Sequence, residues 1–538
     1  MKIFALFALM LASAAAAPAA GTVTVHSGAR AETSEAVFFA FDLDTIPFRR
    51  NLELTLVPVT KHPGPVLRRG PRGAFDELRA EYFGTVVKID GKFRMWYVGY
   101  GFEDPGNRTY EGASTHVGYA ESEDGIRWVK PSLGLVDYHG NKNNNIVLIE
   151  PRDYTSATAD RNLHVLYEPD DPDSARRYKM MLWVPHEGGR WSMVPLFSAD
   201  GLRWRFARPM QVTEAAKPRY KLSSIPLPNE HLEGGGLVRV AGIYYLNGQA
   251  HNPHNGTSVG RIPATYWSPD FVNWNHEKAV SFVRNNFDYG TPAGEGHEVH
   301  EGAALWNRGN TLVGLYGLWE GAKNWTDRRI HFGLVTTTDA IHYREPQPEF
   351  VFATAGKRGE WDSGGLLQGQ GFEQVGDRTY IWYGTWDLTT SGGPDVNLST
   401  DMLSSHGDVG LMTLRRDGFG YVSVLDPKAV KPRETYGDGI GTLLTVPFRV
   451  AGGSASVTVN AELAAGGRLT LELLDGNGRP LEGYGAGDFL VLQRGGVKVP
   501  ARWKSHATIP QGLYRIRARI ERQGAESPKL YAFYVTIV

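Results

Sequence analysis

The chain has 538 residues, more than one ordinary domain holds, with 57 basic and 58 acidic residues and no cysteine. This balance offers no general electrostatic field for nucleic acid or for an anionic membrane. The lack of cysteine excludes disulfides and cysteine-based metal or redox chemistry. Composition therefore favours a neutral partner and a fold stabilised by a large packed core.

The first twenty residues have the three regions of a secretory signal peptide. Met1 and Lys2 precede an apolar run over 3–11, and small residues follow to position 20. The apolar run is shorter than the roughly 20 residues that span a bilayer. We therefore expect residues 1–20 to be removed on export, leaving a periplasmic or secreted protein without a membrane contact.

A short sequence motif, an Asp with an aromatic residue four positions later, occurs five times. The Asp residues are 69 to 78 positions apart, which is too long for a solenoid coil and fits one propeller blade. The Asp side chain is expected to cap a turn, Gly in three copies to take a positive φ, and the aromatic to pack on the sheet. The copies are Asp124/Trp128, Asp200/Trp204, Asp270/Trp274, Asp339/Tyr343 and Asp417/Tyr421.

Aromatic, β-prone runs precede each copy, so the sequence predicts an all-β fold in which residues 21–430 form a five-bladed β-propeller. In a closed ring the last blade takes one strand from elsewhere, and we expect residues 21–70 to supply it. After the fifth copy the repeats stop. Alternating runs at 469–473 and 513–518 then predict a C-terminal β-sandwich over 440–538.

An acid stands at the start of the innermost predicted strand of each blade, where side chains of all blades converge on the channel. Asp160, Glu233 and Glu301 occupy this place in blades two to four. Paired carboxylates with nearby Trp, Tyr, Asn and His are the groups that glycoside chemistry needs. The three glycines after Glu233 are expected to let the backbone approach a ligand closely.

Three features resemble the five-bladed propeller glycosidases of glycoside hydrolase families 32 and 43: the blade count, the repeated Asp-Gly-x-x-Trp turn and Glu233-Gly234-Gly235. The resemblance implies that Glu233 is the general acid and that Asp160 orients the substrate. It also implies a base or nucleophile in blade one, either Asp76 or Glu81, with Asp76 ranked first by residue type. Glu230 is an alternative to Glu233. The families' Asn-Asp-Pro motif is missing, and the Arg-Asp order of blade two is reversed.

Further polar and aromatic residues near these strand ends are expected to contact substrate. His297 and His300 do not have the His-Glu-x-x-His spacing, and on a strand they would point to opposite faces. We therefore expect no metal and no other cofactor. The expected substrate-binding residues are Arg161, Asn162, His297, Glu301, Trp319, Trp361 and Gln370.

The predicted function is an exported glycoside hydrolase that cleaves an oligo- or polysaccharide with paired carboxylates in the channel. A non-catalytic carbohydrate-binding propeller is one alternative, favoured by the missing Asp-Pro motifs. A glycoside phosphorylase is another. It would need a cationic cluster for phosphate, such as Arg161, Arg261 and His297.

Overall fold

The computed structural model describes residues 21–102, 104, 106, 113–150, 162–186, 190–212, 220–222, 227, 232–251, 261–284, 298–320, 329–357, 359–386, 407–426, 439–463, 467–524 and 526–538. These residues form β-strands and one short 3₁₀ turn, Ser174–Arg176, so the predicted all-β class is confirmed. Within them no helix has the length and apolarity to cross a membrane. The predictions for residues 1–20, Asp160, Arg161, Glu230 and His297 fall outside the described part.

Six short strands precede the repeats. They are β1 (Thr22–Val25), β2 (Glu32–Thr33), β3 (Glu35–Phe39), β4 (Phe48–Arg50), β5 (Leu52–Leu56) and β6 (Thr60–Lys61). β1 and β2 pair with each other in antiparallel fashion.

Five sheet units follow, here called repeats one to five, and one copy of the Asp turn belongs to each. Repeat one has β7 (Arg79–Ile89), β8 (Lys92–Phe102) and β9 (Ala113–Ser122); repeat two has β10 (Leu148–Glu150), β11 (Leu163–Tyr167), β12 (Tyr178–His186), β13 (Arg190–Ser198), β14 (Arg203–Phe206), β15 (Met210–Val212) and β16 (Tyr220–Leu222). Repeat three has β17 (Glu233–Val240), β18 (Ile243–His251), β19 (Arg261–Ser268) and β20 (Ala279–Val280); repeat four has β21 (Val299–Asn307), β22 (Leu312–Glu320) and β23 (Arg329–Thr337); repeat five has β24 (Gly365–Val375), β25 (Arg378–Trp386) and β26 (Val409–Arg415).

The strands β7, β11, β17, β21 and β24, here called the inner strands, contact one another in chain order. β24 also contacts β7, and Gln370 pairs with Thr85 in parallel register, so the series closes on itself. β6 pairs with β26 and thereby adds an N-terminal strand to repeat five, as predicted from the sequence. One end of every inner strand therefore lies at the same side of a closed cycle.

The Asp turns have the geometry that the sequence predicts in their first four copies. Oδ1 of Asp124 accepts from the backbone N–H groups of Ile126 and Arg127 at 2.9 and 2.8 Å. Gly125 has a φ of 74°. The same two bonds occur at Asp200, Asp270 and Asp339.

The last strands of the chain form two further sheets. They are β27 (Gly420–Val424), β28 (Ile440–Leu444), β29 (Phe448–Ala451), β30 (Ala455–Glu462), β31 (Arg468–Asp475), β32 (Gly496–Pro500), β33 (Gly512–Glu521) and β34 (Lys529–Ile537). N-terminal strands complete both sheets: β1 pairs with β29, β4 with β28, β3 with β34 and β5 with β27. Residues 22–56 thus belong to the C-terminal sheets, and only part of the N-terminal segment pairs with the repeats.

Successive side chains of β3 point to opposite faces of its sheet, and this explains how the C-terminal sheets attach to the repeats. Ala36 and Phe38 enter the core between the two C-terminal sheets, whereas Val37 and Phe39 enter a core shared with repeats four and five. The amide of Asn310 in repeat four forms two hydrogen bonds, 2.7 and 2.9 Å, with the backbone of Val37. The attachment is therefore both apolar and specific.

The fifth Asp turn also serves this attachment. Asp417 is fully buried and accepts two hydrogen bonds from Arg308 of repeat four, at 3.1 and 3.0 Å. The hydroxyl of Tyr534 on β34 donates to it at 2.9 Å. A side chain that caps a turn in the other copies here joins two repeats to a C-terminal sheet.

Candidate active site

The pairing of four inner strands with their neighbours is irregular near the strand start. The register shifts fall at Glu81/Thr85, Gly234/Gly236, His300/Ala303 and Gln368/Phe372. Bulges re-aim side chains and are frequent next to active sites. In repeat four, Glu301 has a φ of 61°, a left-handed conformation that costs a residue with a side chain roughly 1–3 kcal/mol. The surrounding structure must hold this residue in place.

The glycine run of repeat three makes room for the bulge of repeat four. A Cβ atom on Gly235 would lie 2.2 Å from the carbonyl oxygen of Glu301, and one on Gly236 would lie 2.4 Å from that of Ala303. The sequence predicts that these glycines admit a ligand. In the structure a neighbouring strand makes the close approach, and this brings Glu301 to Glu233.

Three amide side chains hold the same bulge from both sides. Asn247 on β18 accepts from the N–H of Ala303 at 2.7 Å and donates to its carbonyl at 2.8 Å. Oε1 of Gln249, two residues further along β18, accepts from the N–H of Glu301 at 3.3 Å. From repeat five, Gln368 donates to two carbonyl oxygens of the bulge. These contacts offset the backbone strain at Glu301.

Glu233 and Glu301 form a pair of hydrogen-bonded carboxyl groups. Glu301 is 5% exposed, and its burial together with the adjacent Glu233 carboxylate raises its pKa well above the ordinary 4.5. Two carboxylates in contact cannot both ionise at low cost, so the pair keeps its last proton to a higher pH than an isolated glutamate does. Nε2 of Gln249 donates to Glu233 at 3.0 Å. The arrangement is that of a buried acid beside a carboxylate.

Arg261 lies next to this pair and is held from three sides. Its guanidinium donates to Oε1 of Gln249 at 3.2 Å and lies 3.6 Å from the carboxylate of Glu298. It also lies 5.0 Å from the ring centre of Trp319. The positive charge therefore faces the carboxyl pair from a fixed position.

Glu81 on β7 is the third carboxyl group of the site. It is 2% exposed, contributes to the raised pKa of Glu301 through its charge, and lies 3.9 Å from the guanidinium of Arg79. Arg79 lies over the ring of Tyr100 at 4.3 Å. Three inner strands thus each bring one Glu to the same end of the cycle.

Asp76, the other candidate of repeat one, has a different environment. It forms a short ion pair with Lys130 and accepts a hydrogen bond of 2.8 Å from the hydroxyl of Tyr97. Asp362 of repeat five is bound in the same way by Lys61 at 2.6 Å and by a tyrosine hydroxyl at 3.3 Å. The aromatic-Asp pair recurs as part of the scaffold, and it is Glu81 whose charge acts on Glu301.

Two buried histidines adjoin the carboxyl groups. His300 has its Nε2 3.6 Å from Oε1 of Glu301, and burial together with Arg261 lowers its pKa to about 3. Burial lowers the pKa of His164 on β11 to about 4. Both rings are therefore neutral at neutral pH. Among the described residues, no group of three or more His, Asp or Glu side chains is arranged to hold a metal ion.

The remaining predicted residues occupy three kinds of position. Asn162 donates to Oε2 of Glu301 at 3.3 Å, and its own Oδ1 has no hydrogen-bond partner in the described part of the chain. Trp319 is fully buried beneath Arg261. Trp361 packs on Tyr383, away from the carboxyl pair, with ring centres 6.1 Å apart.

Gln370 lies further along its inner strand, β24, toward the end opposite the carboxyl groups. Its amide accepts from the N–H of Leu237 at 2.7 Å and donates to the carbonyl of the same residue, which joins repeat five to repeat three across the centre. It also lines a cavity of about 300 Å³ at the far ends of the inner strands. The structure therefore brings Asn162, Glu233, Glu301 and Glu81 together, and it places Gln370 in the scaffold beneath them.

Sequence reasoning missed Gln249, Asn247 and Gln368 altogether. The sequence of β18 contains a signal for two of them. Asn247 and Gln249 are two polar residues in a mainly apolar and aromatic strand. Because they are two positions apart, their side chains lie on the same face of the strand. Buried amides on one face of an inner strand need partners, and this need predicts a polar neighbour.

No family model matches the chain, and no curated protein matches its sequence. Solved structures with a similar fold include an N-acetylgalactosamine deacetylase from F. plautii in complex with blood group B trisaccharide, at 14% identity and a TM-score of 0.43, covering 68% of this chain and 96% of that chain. A glycosyl hydrolase from Bacteroides ovatus has 13% identity and a TM-score of 0.41, and the match covers 67% of this chain and 94% of that chain.

A further match comes from family 130 of mannoside phosphorylases, which contains hydrolases that target β-1,2 mannosidic linkages in Candida mannan. It has 14% identity and a TM-score of 0.38, and it covers 67% of this chain and 94% of that chain. The structural neighbours are thus glycoside hydrolases and related proteins.

Proposed function

We propose that the protein is an exported glycoside hydrolase that cleaves an oligo- or polysaccharide. The observation that carries this proposal is the hydrogen-bonded Glu233–Glu301 pair, with the charge of Glu81 acting on it from a third inner strand. Glycoside hydrolysis needs one carboxyl group that is protonated near neutral pH and another that is ionised. The raised pKa of Glu301 beside a second carboxyl group supports this division of roles.

We further propose that the five repeats are the blades of a five-bladed β-propeller and that the two C-terminal sheets form a β-sandwich. The closed cycle of inner strands supports the first proposal. The apolar core between the two C-terminal sheets supports the second. In this arrangement the carboxyl groups lie at one mouth of the proposed channel.

In the proposed reaction, the carboxyl pair protonates the glycosidic oxygen as the bond to the anomeric carbon breaks. Glu81 attacks the anomeric carbon or takes a proton from the attacking water. The water oxygen ends on the anomeric carbon, and its proton returns to a carboxylate. Asn162 donates to Oε2 of Glu301 at 3.3 Å and would hold this carboxyl group in place for the proton transfer.

The test is hydrolysis of a panel of polysaccharides and of aryl glycosides with leaving groups of different acidity. We expect Glu233→Gln and Glu301→Gln each to reduce kcat/KM by roughly 10² to 10⁴ for poor leaving groups, and by less for good ones. Glu81→Gln should lose activity on all substrates, since a nucleophile or base is needed in each case. The exposed Glu482→Gln is the matched control and should keep wild-type rates.

Two outcomes would contradict the proposal. Turnover that requires inorganic phosphate would identify a phosphorylase. Saturable binding of a glycan with no cleavage of any substrate would identify a carbohydrate-binding protein.

A further inference from the structure

The amide of Gln249 lies between Glu233 and Glu301, and its orientation is fixed by its neighbours. Its Oε1 faces the N–H of Glu301 at 3.3 Å and the guanidinium of Arg261 at 3.2 Å. Both groups only donate hydrogen bonds, so the oxygen must be on that side. The amide nitrogen therefore faces Glu233, to which it donates at 3.0 Å.

We propose that Gln249 is a positioning residue that keeps Glu233 ionised and thereby directs the shared proton of the pair to Glu301. A donated hydrogen bond stabilises a carboxylate more than a neutral carboxyl group. Glu233 receives this donor and is partly exposed to solvent, whereas Glu301 is almost wholly buried. Both differences favour the charge on Glu233 and the proton on Glu301.

Within the described part of the chain, the other charged and titratable groups near the pair are Arg79, Glu81, His164, Arg261, Glu298 and His300. The charge of Arg261 favours ionisation of the pair, but its guanidinium also holds the amide of Gln249 in place. The two histidines are neutral and add no charge at neutral pH. Asn162 donates to Glu301 at the longer distance of 3.3 Å, whereas Gln249 donates to Glu233 at 3.0 Å, so the shorter donated hydrogen bond is on Glu233.

The inference deepens the proposed function, because it makes Glu301 the acid of the resting enzyme and Glu233 its ionised partner. Its test does not depend on turnover. Glutamate carrying carbon-13 in the side-chain carboxyl would be incorporated into the full chain and titrated by NMR. Glu233→Gln and Glu301→Gln assign the two signals by their loss.

In the wild-type protein we expect the Glu233 carboxyl to ionise first as the pH rises. In Gln249→Met, which keeps the side-chain length and removes the donor, the midpoint of Glu233 should rise by about one pH unit. The acidic limb of the kcat/KM profile should move in the same direction. Gln249→Glu keeps the acceptor for both hydrogen bonds but puts a carboxylate in place of the donor, 3.0 Å from Glu233. The lost donor and the added negative charge both raise the midpoint of Glu233, so this variant should shift the titration in the same direction and further, even if Gln249→Met folds poorly.

Asn247→Leu is the matched control. Asn247 lies on the same face of β18 and holds the same bulge, but its hydrogen bonds go to backbone groups of Ala303 and Gly236. It should lower the unfolding midpoint without moving the titration of Glu233. The inference is overturned if Glu301 ionises first in the wild type, or if the Asn247 and Gln249 variants shift the titration equally. Loss of the proposed hydrolase activity from every substrate panel would leave the NMR result standing, so the two failures are distinguishable.

Discussion

The indole nitrogen of Trp382 donates a hydrogen bond of 2.8 Å to the carbonyl oxygen of Gly125, 257 positions earlier in the chain. Trp96 makes the same bond to Gly201 at 2.7 Å. The contact that joins repeat one to the turn of repeat two therefore also joins repeat five to the turn of repeat one. The same tryptophan-to-glycine hydrogen bond therefore links the last repeat to the first and the first repeat to the second.

Gly125→Ala should weaken this closure. A Cβ atom there would lie 2.7 Å from Cζ2 of Trp382, and the φ of 74° adds strain. Gly134→Ala is the control, because Gly134 has a φ of 68° but no atom within 4 Å of the added carbon. Both variants carry about 1–2 kcal/mol of left-handed strain. We expect Gly125→Ala to lose about 1–3 kcal/mol more in urea unfolding. Equal losses would show that the indole contact is not needed.

Glu301→Gln should change how stability depends on pH. Because the pKa of Glu301 is raised on folding, the folded state binds more protons than the unfolded state above about pH 4.5, and the free energy of unfolding falls as pH rises. In Glu301→Gln the side chain does not titrate, so this part of the decrease in unfolding free energy with pH is absent. The variant should therefore be more stable than the wild type at pH 8, with the difference vanishing near pH 4. Unfolding midpoints across pH measure this, with Glu482→Gln as control. A constant difference would contradict the raised pKa.

Asp417→Asn should destabilise the protein strongly. The change leaves the Arg308 guanidinium, whose side chain is 14% exposed, without its closest carboxylate. Removing one partner of a buried ion pair costs about 3–5 kcal/mol. Asp200→Asn changes the equivalent turn, where the ion pair with Arg203 is largely exposed, and should cost under about 1 kcal/mol. Chemical unfolding compares the two. Similar costs would mean that Asp417 acts only as a turn residue.

Gly235→Ala should reduce activity by displacing the backbone of the neighbouring strand. The added carbon would meet the Glu301 carbonyl oxygen at 2.2 Å, so the bulge that carries Glu301 must move. A shift of this kind at a catalytic group costs about 10²-fold in rate. Gly64→Ala meets no atom within 4 Å and is the control for the substitution itself. Full activity in Gly235→Ala would show that the position of Glu301 is not critical.

The sequence predicts the repeated elements well because each copy of the Asp turn is local. Asp124 and Asp200 bond to N–H groups two and three residues away, so the pattern in the chain contains the whole interaction. The fifth copy keeps the Asp and the aromatic residue, but it has Arg415 where the other copies have a Ser or Thr whose hydroxyl donates to the Asp. This difference marks the copy as unlike the others, but it does not identify Arg308 and Tyr534 as the partners of Asp417, because they lie 109 and 117 positions away.

The candidate site shows the same limit. Position at a strand start and the family resemblance together indicate Glu233 and Glu81 as catalytic candidates and Glu301 as a substrate-binding one. They could not rank Asp76 against Glu81, because Lys130, which pairs with Asp76, lies on a distant segment. The proposed sharing of a proton by Glu233 and Glu301 depends on a bulge between β21 and β22 of repeat four and on the contact of that bulge with Gln249 of repeat three, 52 positions earlier in the chain.

The pairing of β1 with β29 and of β3 with β34 sets an order of events during synthesis. Repeats pair strands that are close in the chain, so they are able to form early, whereas long-range pairing waits and is slow. The first strands to leave the ribosome are therefore among the last to find partners, and they remain as open edges until the chain is complete. Pulse-labelled hydrogen exchange during refolding should show β1 and β3 protected after β8 and β18. Early protection of β1 would mean that another partner shields it first.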